Sequence, residues 1–277
     1  MIKKKAILLS YDFGGGNNLH LFSKKILKNY SKKYCFLGPS DKIIRKKKNN
    51  KFDNLNFKTC KEVYYSLSWK KSLEKKIYKE KKKYFFETFL VLDGWGDYKK
   101  KILFNNKNNY PDNIICLDKY SYHLAKKLMK NKNSNLILYT NLLFKNLLNI
   151  AKFKEIKKNK ILYLISPLIN KKKIVMIKDY IYKNYKGNLS IRYHPKSIST
   201  KYKPLIKELL NYNLVIGHYS TSLIYSSLMG IKTLSINHTK IDIFKWKKLG
   251  VFSNFNIKVV KNKKLNSAFK KIKIEYI

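Results

Sequence analysis

The sequence predicts an α/β protein with two Rossmann-like lobes and a cleft between them. Short apolar runs alternate with segments of helical spacing, which is typical of a parallel sheet covered by helices. The alternation stops in the polar, basic segment Asn149–Lys160 and then starts again. We therefore expect a linker there and two domains, over residues 1–155 and 156–277, with ligands bound beyond the carboxyl ends of the strands.

The first lobe begins with a predicted strand in "KKAILLSYDF" and a turn in "GGGNN". A helix is expected in "LHLFSKKILKNY", a strand in "YCFLG" and a loop over residues 41–60. A long basic helix follows in "SLSWKKSLEKKIYKEKKKY". The remaining predicted elements are a strand in "FETFLVLDGWGDY", a strand, turn and helix in "NIICLDKYSYHLAKKLM", and a strand in "NLILYT".

The second lobe repeats this order. Predicted strands lie in "KILYLISPL", "NLSIRYHP", "LVIG" and "IKTLSIN", and predicted helices in "KKKIVMIKDYIYKNY", "TKYKPLIKELLNY", "STSLIYSSLMG" and "DIFKWKKLG". Gly187 and Gly230 are expected at helix C-termini. Pro195 ends a strand, Pro204 suits a first helical turn, and Asp242 suits an N-cap.

The composition is strongly basic, with 62 Lys and Arg against 16 Asp and Glu and a formal net charge of +46. Lys, Asn, Ile and Tyr are abundant while Arg, Gly, Ala and Pro are scarce, as an AT-rich genome would produce. Arg45 and Arg192 are the only arginines. A surface of lysines argues against base-specific nucleic-acid binding, which favours arginine. It is compatible with attraction to anionic lipid.

Cysteine usage and the N-terminus favour a cytoplasmic protein. Cys35, Cys60 and Cys116 are widely spaced, which indicates reduced thiols rather than disulfides or a zinc site. The first residues suit a core strand better than a secretory signal. No apolar stretch is long enough to span a membrane, so we expect a cytoplasmic protein that is at most peripheral at the inner face of the membrane.

The first candidate site is "RYHPKS". Alternate strand residues share a face, so Arg192 and His194 are expected opposite Tyr193. Pro195 ends the strand and leaves His194 at its carboxyl end. There the imidazole can bind or protonate a leaving phosphate, and Arg192 can hold the same anion or orient a carboxylate. A structural histidine beside a buried ion pair is the alternative.

The second candidate site is "GHYSTSL", where a strand ends at Gly217 and a helix begins. Free amides and hydroxyls at a helix N-terminus bind anions, so Ser220, Thr221 and Ser222 are candidates for phosphate binding. Plain N-capping explains the same residues.

The third candidate site is "LVLDGWGDY", in which an apolar strand delivers Asp93 to a glycine-containing turn. A carboxylate there suits a general base, and a simple turn former is the alternative. Gly14, Gly15 and Gly16 form a weaker candidate, a loop lining the cleft. No histidines have metal-ligand spacing, so we expect no metal site and no cofactor.

Taken in order, "LDG", "YHPK" and "HYSTS" resemble the acidic, His-Pro and serine motifs of bacterial GT-B sialyltransferases and polysialyltransferases. The resemblance implies transfer of sialic acid from CMP-sialic acid to a glycan acceptor. It implies that Asp93 is the general base, that His194 contacts the CMP phosphate as a candidate general acid, and that Ser220 and Ser222 bind that phosphate. Leu92 departs from the pattern, which has a second acid there.

On this resemblance, the first lobe is the acceptor side and the second lobe binds the nucleotide sugar. We also expect Ser166, Pro195 and Thr221 in the donor phosphate site. Other GT-B enzymes of surface-polymer synthesis stay open as alternatives, among them a capsule glycerophosphotransferase and a nucleotide-sugar hydrolase. So do a basic nucleic-acid-binding protein and an inactive relative, although we expect no specific nucleic-acid partner.

Overall fold

The computed structural model describes residues 3–44, 48–66, 72–92, 110–130, 132–139, 159–165, 169–193, 205–218, 221–236 and 257–259. The chain divides into two compact units, Met1–Leu143 and Phe144–Ile277. The predicted domain boundary at residues 155 and 156 lies outside the described residues.

In the first unit the described strands form one parallel sheet of six strands, in the order β2-β1-β3-β4-β5-β6. These strands are β1 (Lys5–Ser10), β2 (Ser31–Phe36), β3 (Glu62–Ser66), β4 (Glu87–Val91), β5 (Asn113–Cys116) and β6 (Asn135–Leu138). The helices are α1 (Phe13–Lys25), α2 (Ser72–Lys81) and α3 (Lys119–Leu128), with 3-10 segments at Gly38–Ile43 and Phe52–Asn54.

Both faces of the inner strands of this sheet are buried, because successive strand residues point to opposite sides and both sides are apolar. In β1, Leu9 packs in one cluster with Ile77 of α2. Its neighbour Leu8 packs in a second cluster with Leu19 of α1. Helices therefore cover both faces, as in a doubly wound fold.

The second unit repeats the same plan. Its described strands pair in parallel in the order β11-β10-β9-β7-β8. The strands are β7 (Lys160–Leu164), β8 (Asn188–Arg192), β9 (Leu214–Gly217), β10 (Lys232–Ser235) and β11 (Ile257–Val259), and the helices are α4 (Lys171–Asn184), α5 (Leu205–Leu209) and α6 (Thr221–Leu228). Ile177 and Ile181 of α4 pack in one cluster with Tyr163 of β7.

The predicted fold class is confirmed, while two local predictions are wrong and one strand was missed. Gly14, Gly15 and Gly16 are not a loop, since they lie in the first turn of α1, where Gly16 donates a backbone hydrogen bond to the carbonyl oxygen of Asp12 at 2.9 Å. Strand β3 was not predicted. Gly187 does not cap α4, because that helix ends at Asn184 and Tyr185 is its C-cap.

One other local prediction is confirmed. Gly230, with a φ of 72°, follows the end of α6 in the left-handed conformation that favours glycine. The linker residues 149–158, Pro204 and Asp242 lie outside the described residues. In the part of the chain that is described, no helix is both long and apolar enough to cross a membrane.

Candidate functional site

The carboxyl edge of each sheet, where its strands end, contains a point at which the chain reverses its direction across the sheet. In the first unit the chain runs from β1 outward to β2 and then returns to the other side of β1 for β3. In the second unit it runs from β7 to β8 and returns to the other side of β7 for β9. Ligands of open α/β sheets bind at such switch points.

Buried serines meet at the switch point of the first unit. Ser10 ends β1, Ser66 ends β3, and their hydroxyl oxygens are 2.7 Å apart. The hydroxyl of Ser40 donates to the carbonyl oxygen of Ser10 at 3.0 Å. A side chain on Gly16 would lie 2.8 Å from the Cβ of Ser40, so only glycine lets α1 approach this closely.

The candidate base Asp93 follows this same edge. Val91 ends β4, and the backbone amide of Leu92 donates to the carbonyl oxygen of Ile115 at 3.1 Å. Both Val91 and Leu92 are buried. Asp93 itself lies outside the described residues, so its role stays a prediction.

At the carboxyl edge of the second sheet, the backbone is in register across neighbouring strands. The amide of Ile165 donates to the carbonyl oxygen of Arg192 at 2.9 Å, and the amide of Ile236 donates to that of Gly217 at 3.0 Å. Four of the predicted donor-site residues follow these strand ends by two or three positions in the sequence. Ser166, His194, Pro195 and Ser220 lie outside the described residues.

Helix α6 begins at Thr221, as predicted, and Ser222 is half-buried in its first turn. The helix is held close to β9 by Gly217. A Cβ added there would lie 3.1 Å from Cδ2 of Leu223 and 3.2 Å from Cβ of Leu164. The N-terminus of α6, which carries the positive end of the helix dipole, therefore lies beside the end of β9.

Tyr163 and His218 form a hydrogen-bonded pair at the switch point of the second unit. The Tyr163 hydroxyl and Nε2 of His218 are 2.8 Å apart, and both residues are buried. Burial, followed by the neighbouring Tyr193, raises the pKa of Tyr163 well above its ordinary value, so this hydroxyl stays protonated. Sequence reasoning gave His218 no role, although its place directly after a strand-ending glycine was a usable signal.

Arg192 makes an ion pair with Glu208 of α5, with Nη1 contacting Oε2. The side chains are 9% and 18% exposed, so the pair is largely removed from water. Leu189 and Ile191 pack on the opposite side of β8, in the cluster of Tyr163, which confirms the predicted alternation of this strand. The buried ion pair matches the structural alternative for this residue, and anion binding by Arg192 stays a prediction.

Among the described residues, neither a metal-ligating group nor an activated thiol at Cys35 or Cys116 is found. No three His, Cys, Asp or Glu residues there are grouped to hold a metal ion. Burial raises the pKa of the Cys35 thiol to about 11 and that of the Cys116 thiol to about 12. Both thiols therefore stay protonated and are poor nucleophiles at neutral pH.

Comparison with known proteins finds related folds without close relatives. Neither the protein-family models nor the curated proteins give a match. The structure of UDP-GlcNAc 2-epimerase from Methanocaldococcus jannaschii in complex with UDP-GlcNAc and UDP aligns with a TM-score of 0.62 at 11% identity, over 96% of this chain and 92% of that one.

A variant of the wall teichoic acid polymerase TagF soaked with CDPG aligns with a TM-score of 0.56 at 13% identity, over 99% of this chain and 81% of that one. Another structure of the M. jannaschii epimerase aligns with a TM-score of 0.56 at 11% identity, over 98% and 93%. At such identities the likeness concerns the fold alone. The chain has a GT-B-type fold built from two Rossmann-like lobes.

Proposed function

We propose that this chain is a GT-B enzyme that binds a nucleotide-activated donor at the carboxyl edge of its second sheet and transfers the activated group to a surface glycan. The observation that carries the proposal is the register of that edge. The ends of β7, β8 and β9 are level, and Ser166, His194 and Ser220 follow them closely in the chain. Hydroxyls, an imidazole and helix amides are groups that stabilise a phosphate leaving group.

For the donor, the motif order favours CMP-sialic acid. In this reaction the carboxylate of Asp93 removes the proton of an acceptor hydroxyl, whose oxygen then bonds to the anomeric carbon of the sugar. The bond between that carbon and the phosphate oxygen of CMP breaks, and the phosphate keeps the electron pair. His194, with Ser220 and Ser222, stabilises the departing phosphate by hydrogen bonds.

A second candidate is transfer from another pyrimidine nucleotide in surface-polymer synthesis, such as glycerophosphate transfer. The likeness to a teichoic acid polymerase soaked with CDPG favours it, and the epimerase bound to UDP-GlcNAc and UDP keeps uridine donors open. A nucleotide-sugar hydrolase is a further alternative. In all of these proposals the enzyme binds a pyrimidine nucleotide.

The experiment is a thermal-shift series with CMP, CDP, UDP and GDP at one salt concentration. Stabilisation by CMP above the other nucleotides supports the sialic acid donor. A preference for CDP or UDP supports the second candidate, and equal shifts with all four nucleotides and with tripolyphosphate contradict a nucleotide site. Tripolyphosphate is the needed control, because a formal charge of +46 attracts any polyanion.

The assigned roles are separable by substitution. We expect Asp93→Asn to lower kcat by about 10²–10⁴-fold while nucleotide affinity is kept, because a general base does not hold the donor. We expect His194→Ala to lower both turnover and nucleotide affinity. His123→Ala, on the exposed side of α3, is the control and should change neither. Full turnover of the Asp93 variant would remove it from the catalytic step.

We also propose peripheral contact with an anionic membrane on the cytoplasmic side. The excess of lysines supports it, since each cation near such a surface contributes about 1 kcal/mol. Cosedimentation with phosphatidylglycerol vesicles, and not with phosphatidylcholine vesicles, is the expected result. Equal recovery with both would contradict the contact.

A further inference from the structure

We propose that Tyr163 and His218 are positioning residues of the donor site, whose hydrogen bond holds the end of β9 next to the start of α6. The inference rests on the proposed function for the identity of the ligand. Its structural part, that this bond fixes the end of β9 beside α6, stands on the geometry of the second unit alone.

The two side chains lie on the same face of the second sheet. Tyr163 is paired in register with Ile216, and His218 is two residues beyond Ile216, so all three point to one side. That side is the one packed by Ile177 of α4. Within it, Tyr163 is 0% and His218 2% exposed, and their polar atoms are 2.8 Å apart.

The opposite face of the same strand end is fixed by Gly217. A Cβ at residue 217 would crowd Leu223 at 3.1 Å and Leu164 at 3.2 Å, so β9 and α6 pack closely against each other. Residue 217 is therefore held by packing on one face and residue 218 by a hydrogen bond on the other. The strand end is held from both sides.

The position of His218 sets where α6 begins. Only residues 219 and 220 separate it from Thr221, the first residue of the helix. Backbone amides bind a phosphate well only if they are held in place before the ligand arrives. Loss of the Tyr163–His218 bond should therefore weaken nucleotide binding, although neither side chain is assigned a contact with the nucleotide.

The test uses four single variants of the full chain and the double variant Tyr163→Phe/His218→Leu. Tyr163→Phe and His218→Leu remove the bond, and His218→Gln keeps a polar nitrogen near the position of Nε2. Tyr65→Phe is the matched control, because Tyr65 is also the penultimate residue of a strand, is buried, and shares a hydrogen bond, 3.1 Å to the hydroxyl of Tyr78.

Two measurements are made on each variant. Hydrogen–deuterium exchange over residues 217–228 should be faster in Tyr163→Phe than in wild type, and unchanged in Tyr65→Phe. The affinity for the nucleotide that stabilises wild type most should fall about tenfold in Tyr163→Phe and in His218→Leu. The double variant should lose no more than either single one, because both remove the same bond, and His218→Gln should stay within about threefold.

The positioning role and the proposed function can be contradicted independently of each other. Unchanged exchange over residues 217–228 in Tyr163→Phe overturns the positioning role whatever the nucleotide data show. Faster exchange, in a protein that no nucleotide stabilises, supports the positioning role and overturns the proposed function. Additive losses in the double variant also contradict a shared role.

Discussion

Arg192 contacts Glu208 across the interface between β8 and α5, where both side chains are mostly buried. Breaking a hydrogen bond between charged groups in such a place costs about 1.5–3 kcal/mol, since the remaining charge loses its partner. We expect Glu208→Gln to lower the free energy of unfolding by that amount in urea denaturation. Glu80→Gln breaks a pair whose cation, Lys83, is 51% exposed, and it should cost less than about 1 kcal/mol. Equal costs for the two would mean that burial does not strengthen the pair.

Arg192→Lys tests whether the same residue also serves the donor. Lysine keeps the charge and loses the planar fork, so we expect turnover to fall by more than about tenfold while the protein stays folded. Normal turnover in this variant would leave Arg192 with the structural ion pair alone.

His20 makes the stability of the first unit depend on pH. Burial, and then the charges of Lys24 and Lys32, lower the pKa of His20 from 6.5 to about 4. Between these two pH values the unfolded chain binds a proton that the folded chain does not. The contribution of neutral His20 to the free energy of unfolding is therefore complete above pH 6.5 and is lost as the pH falls to about 4.

We expect His20→Gln to flatten the dependence of the melting temperature on pH in this window. His123→Gln, on the exposed side of α3, is the matched control and should keep the wild-type slope. A wild-type slope in His20→Gln would show that other groups cause the pH dependence.

At the scale of elements, the start of α1 is the place where the sequence misled most. Three successive glycines predict a turn, because glycine is unfavourable in a helix. They are helical here because tertiary packing decides, with a side chain at Gly16 reaching within 2.8 Å of Ile43 Cδ1. No local pattern reveals that a distant 3-10 segment packs at this point.

A pair of glycine substitutions measures that packing. We expect Gly16→Ala to lower stability by about 1–3 kcal/mol, because the new methyl group overpacks the contact with Ser40 and Ile43. Gly14 is exposed in the same turn, so Gly14→Ala should be neutral or stabilising by up to about 1 kcal/mol. Thermal unfolding of both variants checks this, and equal effects would contradict a close contact specific to Gly16.

Strands with long apolar runs were predictable, as β1, β7 and β9 show, since buried parallel strands are apolar on both faces. Strand β3 was missed because "EVYYS" contains one aliphatic residue and follows a lysine-rich segment. Its tyrosines are nevertheless buried, and the hydroxyl of Tyr64 donates to Glu62 at 2.9 Å. Such partners cannot be predicted from local sequence.

The candidate site was predictable only where it depends on local sequence. Residues that follow strand ends can be read from the pattern, as with Asp93, His194 and Ser220. The partner of a buried side chain from another strand cannot. Glu208 beside Arg192, and Tyr163 beside His218, are both such long-range pairs.

For the whole molecule, the formal charge of +46 and the proposed nucleotide site predict different salt dependences of ligand binding. Binding to generic duplex DNA should weaken steeply with salt, since it releases counterions from many phosphates. Binding of one nucleotide to a built site should change far less. Titrations of both ligands at 50 and 300 mM salt compare the two, and a nucleotide affinity as salt-dependent as that for DNA would favour a purely electrostatic surface.

The most direct test of the account is a hydrogen–deuterium exchange footprint of the nucleotide that gives the largest thermal shift. The account predicts slower exchange at the carboxyl edge of the second sheet, in peptides that include Ile165, Tyr193 and residues 217–222. It predicts no change at the opposite edge, where β7 and β8 begin. Protection confined to that opposite edge or to the first unit, or spread evenly over the lysine-rich surface, would contradict a donor site at the ends of β7, β8 and β9.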